Sequence, residues 1–240
     1  MKIKILYEDS NILAIDKPSG ISVHGDGRSE GKTIADWVLQ NYPKMKNVGE
    51  PEVYENKKIK TEILKPGIVH RLDNETSGVM LLAKNQKTFL FLKSQFMERV
   101  IKKTYHAIVS GEVRNDRGVI NKPIGRSPRD FRRYLAGRGA RGEMREAVTE
   151  YKVIKRFGTK DKFTYLEVRP KTGRTHQIRV HMKYVNHPVV CDSLYNPDGP
   201  CPKDISRLAL HARSIEFTDL KEKIIKVESP VPKEFEKVVE

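Results

Sequence analysis

An α+β fold with a mixed, mostly antiparallel central sheet, flanked by helices and loops, is what this 240-residue chain predicts. Three observations carry the prediction. Strand-type runs and helix-period stretches both occur, but they do not alternate strictly, which argues against a doubly wound parallel sheet. Residues 148–154 and 163–168 pair as antiparallel strands. The hydrophobic fraction, 38%, supplies a sizeable core, in one lobe or in two closely packed ones.

The elements follow in order. Residues 3–7 and 11–17 are short β-type runs joined by a turn at Glu8-Asp9-Ser10, and Pro18-Ser19-Gly20 ends the second. Thr33 caps a helix over 34–40, with Ile34, Trp37 and Val38 on one face. Residues 43–66 are polar, charged and weakly periodic, and read as an exposed insertion. Unbroken apolarity makes 79–83 a buried strand. Phe89, Leu92, Phe96 and Val100 recur at helical spacing and predict an amphipathic helix over 86–100. A strand over 104–109 ends at Gly111. Residues 172–185 read as a helix with Ile178, Met182 and Val185 on its apolar face. Strands over 208–217 and 224–227 and a terminal helix after Pro232 complete a single domain of residues 1–240.

The formal net charge is +15, which is a statement about partners: a polyanion, with RNA or DNA ahead of an acidic membrane. Two cysteines, Cys191 and Cys201, cannot make a disulfide scaffold for a chain of this size; both lie in a loop-like stretch where a chance bridge stays open, and reduced thiols are expected. The N-terminus lacks the apolar region of a signal peptide and no long apolar run follows, so the expectation is a cytoplasmic protein with no membrane partner.

Residues 126–145 concentrate arginine with glycine and two aromatics. Arg129, Arg132 and Arg133 can fork onto phosphates, and Phe131 and Tyr134 offer stacking faces for unpaired bases. The composition fits an RNA-contacting loop that orders on binding, and equally a solvated charge run.

Two segments carry chemistry. In 67–84 one carboxylate, Asp73, lies between the basic pair His70-Arg71 and a glycine-ended polar turn, with the apolar strand directly after. That layout holds an acid at the rim of a rigid sheet. The second segment is Thr172-Gly173-Arg174-Thr175-His176-Gln177-Ile178-Arg179-Val180-His181.

Together they resemble the RluA-type pseudouridine synthases, whose HRLD-x-x-TSG and TGR-x-HQ-[IL]-R-x-H signatures both stand here intact. The resemblance extends along nearly the whole chain, in the family's order. Lys17-Pro18-Ser19-Gly20 is similar to its K-P-x-G element, and Lys103-Thr104-Tyr105 with Gly111 to its K-x-Y…G strand. Ala147, Thr149 and Tyr151 match A-x-T-x-Y. Residues 187–192 match H-P-[IV]-x-G-D except that Cys191 replaces glycine, and 207–212 match R-L-x-L-H-A.

The resemblance implies the pseudouridine synthase fold, without an N-terminal S4-like domain, and an isomerase that converts uridine to pseudouridine in ribosomal or transfer RNA. It implies no cofactor and no metal. Asp73 falls on the family's nucleophile, Tyr105 on its active-site tyrosine and Arg179 on the guanidinium that pairs with the aspartate. Burial alone would raise the carboxyl pKa and quench it; an adjacent guanidinium reverses that. Arg71 is expected to fill the space that a flipped base vacates, an extrusion that costs about a few kcal/mol. Leu72, Thr76 and His176 are expected at the substrate, Leu208 or Leu210 as the apolar floor of the pocket, and Arg129, Arg132 and Arg133 on RNA. A monomer with no obligatory protein partner is expected.

Two other readings were weighed. A catalytically silent RNA-binding protein on the same fold sits poorly with intact Asp73, Tyr105 and Arg179. A metal-dependent nuclease would need clustered acids, and His70, His176, His181 and His211 have no organised acidic or cysteine partners in a standard zinc spacing. Departures from the family pattern at Cys191 and at Gly142-Glu143-Met144 concern loop shape and RNA contact.

Overall fold

The structure is a computed structural model that describes residues 1–25, 31–56 and 59–239, without the side chains of residues 52–62 and 239. The element order is β1 (Lys4–Glu8), β2 (Ile12–Lys17), α1 (Ile34–Asn41), β3 (Glu52–Asn56), β4 (Ile59–Ile63), β5 (Ser77–Ala83), α2 (Gln86–Met97), β6 (Lys102–Ser110), β7 (Arg117–Asn121) and β8 (Ile124–Arg126). There follow β9 (Tyr134–Ala136), β10 (Arg141–Arg145), β11 (Val148–Phe157), β12 (Phe163–Pro170), α3 (Gln177–Tyr184), β13 (Leu210–Thr218), β14 (Ile224–Glu228) and α4 (Lys233–Val239). The α+β class with mostly antiparallel pairing holds. Length allows one lobe or two, and the chain forms two compact units: Met1–Ile101 with Ser214–Ser229, and Lys102–Arg213 with Pro230–Glu240.

In the first unit β1 pairs β2, and β2 pairs β5 from Ile12↔Ala83 to Lys17↔Gly78. β5 is buried along its whole length, as its continuous apolarity predicts. β14 pairs the 214–218 half of β13. The Thr33 cap is present as a full capping box with Asp36, and Asn85 caps α2 through the Thr88 N–H. α2 is shorter than its periodicity suggests. Arg99 takes a left-handed φ of 61° and ends it, so Val100 lands outside the core face, 55% exposed. Gln95 fastens the helix to β13 by exchanging two hydrogen bonds with the Thr218 backbone.

The insertion over 43–66 is anchored and not wholly exposed. Met45 and Val48 are buried, and β3 pairs β4 antiparallel from Glu52↔Ile63 to Asn56↔Ile59, with the side chains of 52–62 outside the described residues. Gly67 closes this region: a Cβ there would collide with the Ala83 carbonyl.

In the second unit the order is β6-β12-β11-β7, all antiparallel. Tyr105, Val168, Tyr151 and Gly118 lie in one cross-strand row. Ile178 and Met182 of α3 pack with Leu208, Leu210 and the β6 and β12 side chains in one core, with Val185 against it, as predicted. Residues 126–145 correct the loop expectation: β8, β9 and β10 form a three-stranded sheet in the order β10-β8-β9, with Ile124 and Ala136 buried beneath. The reduced-thiol expectation is also corrected. Cys191 and Cys201 are joined as a disulfide, their Cα atoms 5.4 Å apart and within bridging range. Among the described residues no helix is long and apolar enough to cross a membrane.

Candidate active site

The segment that bears the carboxylate belongs to the first unit. Asp73 opens a turn closed by the Thr76 N–H on the Asp73 carbonyl, 3.1 Å, and leads straight into β5. The Lys17-Pro18-Ser19-Gly20 element holds this turn from below. Lys17 is fully buried, and its ammonium donates to the carbonyls of Pro18, Ile21 and Asn74 at 2.8, 2.8 and 2.9 Å. Ser19 Oγ donates to the Glu75 carbonyl, the Gly20 N–H to the Asn74 carbonyl, and Asn74 Nδ2 to Ser22 Oγ. The carboxylate therefore stands on backbone tied at several points to a second chain segment. Sequence reasoning recognised Lys17 as part of a motif but not this role.

The neighbours of Asp73 divide by exposure. Asp73 itself is half-buried, Leu72 buried and Arg71 exposed, with Nη1 of Arg71 3.5 Å from His24 Nε2. His70 Nε2 accepts the Leu81 N–H at 2.9 Å, so that nitrogen is unprotonated, and the ring stacks on Phe96. His70 thus orients the strand. The Thr76 hydroxyl is buried with no hydrogen-bond partner among the described residues. A buried hydroxyl left this way costs stability, and a strained backbone, a catalytic role or a bound water or ion accounts for such atoms in native proteins.

The second unit carries Tyr105 and Arg179. Tyr105 is half-buried on β6, against the core that contains Leu208 and Leu210. Arg179, 4% exposed on α3, is gripped by fully buried Asp192: Nε to Oδ2 at 2.7 Å and Nη2 to Oδ1 at 2.8 Å. Asp192 Oδ1 also accepts the N–H groups of Leu194 and Tyr195. The guanidinium lies over the Tyr195 ring, 5.2 Å from its centroid. Tyr195 OH in turn meets His176 Nδ1 at 3.0 Å and accepts the Tyr134 N–H. This fork uses Nε and one Nη of the guanidinium. Asp192 was legible only as the last letter of a motif.

The signature's Thr172–His176 stretch is a loop, which corrects the predicted helix start. His176 adopts a left-handed φ of 53° immediately before α3. Gln177, buried at the first helical position, organises the loop with both ends of its amide. Oε1 accepts Thr172 Oγ1 and the Arg174 N–H, while Nε2 donates to the Val148 carbonyl and Thr149 Oγ1. His181 is buried between Thr149 Oγ1 and the Lys122 carbonyl, and burial pushes its pKa below the ordinary histidine value.

Of the arginines assigned to RNA, Arg129 is exposed and carries no acidic partner among the described residues. Arg132 forks onto Asp130 at 3.1 and 2.9 Å, and Arg133 Nε lies 3.7 Å from the same carboxylate. Hydrogen bonding from Arg132 holds the Asp130 pKa at about 2. Phe131, 81% exposed at the tip between them, has no packing role. Among the described residues no group of three His, Cys, Asp or Glu side chains could hold a metal ion.

Residues 11–184, which span Asp73, Tyr105 and Arg179, match the family model described as RNA pseudouridylate synthase. The chain belongs to that family. Its members are isomerases. An RNA pseudouridine synthase of Aquifex aeolicus is 40% identical over 207 residues, covering 86% of this chain and 60% of its own length. Ribosomal large subunit pseudouridine synthase D of Borreliella burgdorferi is 37% identical over 234 residues, covering 97% of this chain and 66% of its own. Across these two and the similar Bacillus subtilis RNA pseudouridine synthase YlyB, this chain spans 60–73% of the relative's length. The fold is shared with human RNA pseudouridylate synthase domain containing 1, with a TM-score of 0.73 at 24% identity over 96% of this chain and 84% of that one.

Proposed function

We propose that this chain isomerises uridine to pseudouridine in structured RNA, ribosomal or transfer, with Asp73 as the nucleophile. The observation that carries the reading is the family match spanning Asp73, Tyr105 and Arg179 without interruption. The reaction breaks the N1–C1′ bond of uridine and forms C5–C1′. C5 loses a proton, N1 gains one, and no electrons are exchanged.

Each residue has a part. Asp73, on a turn fastened by Lys17 and Ser19, supplies the negatively charged oxygen that attacks the extruded nucleotide. Arg179 keeps that oxygen ionised where water is excluded, and Asp192 presents its guanidinium in one orientation. Tyr105 stacks on the detached uracil while it turns. Thr76 donates its buried hydroxyl to the bound nucleotide. Arg71, exposed beside Asp73, fills the gap left in the RNA. Leu208 and Leu210 form the apolar floor, His176 contacts the substrate, and Arg129, Arg132 and Arg133 meet the RNA backbone. The Borreliella relative is a ribosomal large subunit pseudouridine synthase, which supports ribosomal RNA as the first substrate to try.

The test uses purified protein with bulk ribosomal and transfer RNA from cells lacking it, and maps pseudouridine by carbodiimide-adduct stops. Wild-type protein is expected to add pseudouridine at discrete uridines without nucleotide or metal supplements. Asp73→Asn is expected to abolish the signal while still binding RNA. Undiminished modification by that variant would overturn the assignment.

A further inference from the structure

Lys103 is a half-buried cation without an acid to pair with among the described residues. Its Nζ meets one polar group, the Thr172 carbonyl, at 3.3 Å, and among the described residues it has no carboxylate partner. Buried charges in proteins are ordinarily paired, because a lone one forfeits its hydration for nothing. A single long bond to a neutral carbonyl does not replace that hydration. The carbonyl cannot drift away from it either. Thr172 Oγ1 is fixed to Gln177 and accepts the Val148 N–H, so the loop is locked beside the ammonium.

The position of this ammonium is specific. Side chains two apart on a strand share a face, so Lys103 and Tyr105 project from the same side of β6, roughly 7 Å apart along it. A base stacked on Tyr105 has its own phosphodiester within one nucleotide's reach of Lys103. Gly173 lies beside the ammonium: a Cβ built on it would sit 3.7 Å from Nζ, an ordinary contact.

Resting on the reading of Tyr105 as the residue under the uracil, we propose that Lys103 Nζ and the Thr172–Gly173 backbone form an anion subsite for the phosphodiester of the target nucleotide. The ligand class is a phosphate ester, and the subsite recognises the backbone and not the base. The electrostatics agree with the geometry. Burial alone pushes the Lys103 pKa down to about 8, the behaviour of an ammonium to which nothing negative has been supplied. An arriving phosphate supplies it, so the penalty held in the free protein is relieved on binding.

The experiment compares uridine 5′-monophosphate with uridine, binding each to wild-type, Lys103→Met and Lys103→Arg protein. Wild-type protein is expected to prefer the nucleotide by about tenfold or more, the scale of one charge-assisted hydrogen bond. In Lys103→Met the preference should collapse to near unity with uridine affinity unchanged, and Lys103→Arg should restore part of it. A merely structural role would weaken both ligands together. The same proteins are then titrated with bulk ribosomal RNA across a salt series. Loss of one phosphate contact lowers the slope of log affinity against log salt by about 0.7–0.9. An unchanged slope overturns the subsite. So does a Lys103→Met loss confined to the chemical step, with affinity and slope intact, which would make the lysine a proton carrier. The two readings fail separately. A lysine-dependent preference without pseudouridine formation would sink the isomerase assignment and leave the anion site standing. Pseudouridine formation with no lysine-dependent preference or slope would do the reverse.

Discussion

Lys17 is fully buried and Lys103 half-buried, and the protein treats them in opposite ways. Lys17, in the first unit, spends its three N–H donors on the carbonyls of Pro18, Ile21 and Asn74. It ties two chain segments together under the turn that bears Asp73. Lys103, in the second unit, has one long bond to Thr172. The first is a fastener whose hydrogen bonds are complete in the free protein. The second is incomplete until something negative arrives. The difference teaches how to separate structural from functional cations: count what the ammonium holds, and ask which partner is missing.

The comparison can be broken by experiment. The largest effect is expected at the other satisfied charge, the Arg179–Asp192 pair. Asp192→Asn takes the gripping carboxylate away from a buried guanidinium, and urea unfolding should show a loss of about 3–5 kcal/mol. Pseudouridine formation should fall at least about 100-fold, because the guanidinium is no longer held in one orientation. Lys17→Met comes next. It strands three carbonyls, and the loss should reach at least about 3 kcal/mol; a loss near zero would mean that Lys17 fastens nothing.

Lys103→Met should move stability the other way. The folded-state pKa is about 8 against an ordinary 10.5, so between those values the unfolded chain binds more protons and wild-type stability rises with pH. Below pH 8 the full penalty is present. The variant should therefore be more stable than wild type at pH 7, with the gap narrowing from pH 8 towards 10.5. Equal stability at all pH values would show that Lys103 carries no penalty. The smallest effect is expected at His181, which is held neutral. Its pKa is lowered on folding, so wild-type stability should fall as pH drops below about 6.5, where the unfolded histidine takes up its proton first. His181→Gln should flatten that acid limb in thermal melts.

Much of this was legible in the chain itself, for physical reasons. β5 was readable because a strand buried on both faces is apolar without interruption, and α1 because Thr33 and Asp36 form a local capping box. The Asp73 turn was readable because its residues are contiguous. What stayed hidden is what the chain brings together from a distance. Asp192 lies thirteen residues from Arg179, and no spacing rule announces that they pair. The Lys17 ammonium reaches Asn74, 57 residues on. The start of α3 was misjudged because helical periodicity over 178–185 ran on into 172–176, where Gly173 and left-handed His176 stop it. β8 and β9 are three residues each, too short for any period to show.

Gln177 has a consequence for how this chain can drift over evolutionary time. Its amide receives two donors at one end and delivers two at the other. Glutamate matches it in size but would turn an oxygen towards the Val148 carbonyl, and leucine matches its bulk but would answer none of the four. No single replacement among the common amino acids keeps both halves of that exchange. Tolerance at position 177 is therefore set by chemistry and not by volume, and a saturation library should return this site nearly empty while its apolar neighbour Ile178 still admits other hydrocarbons.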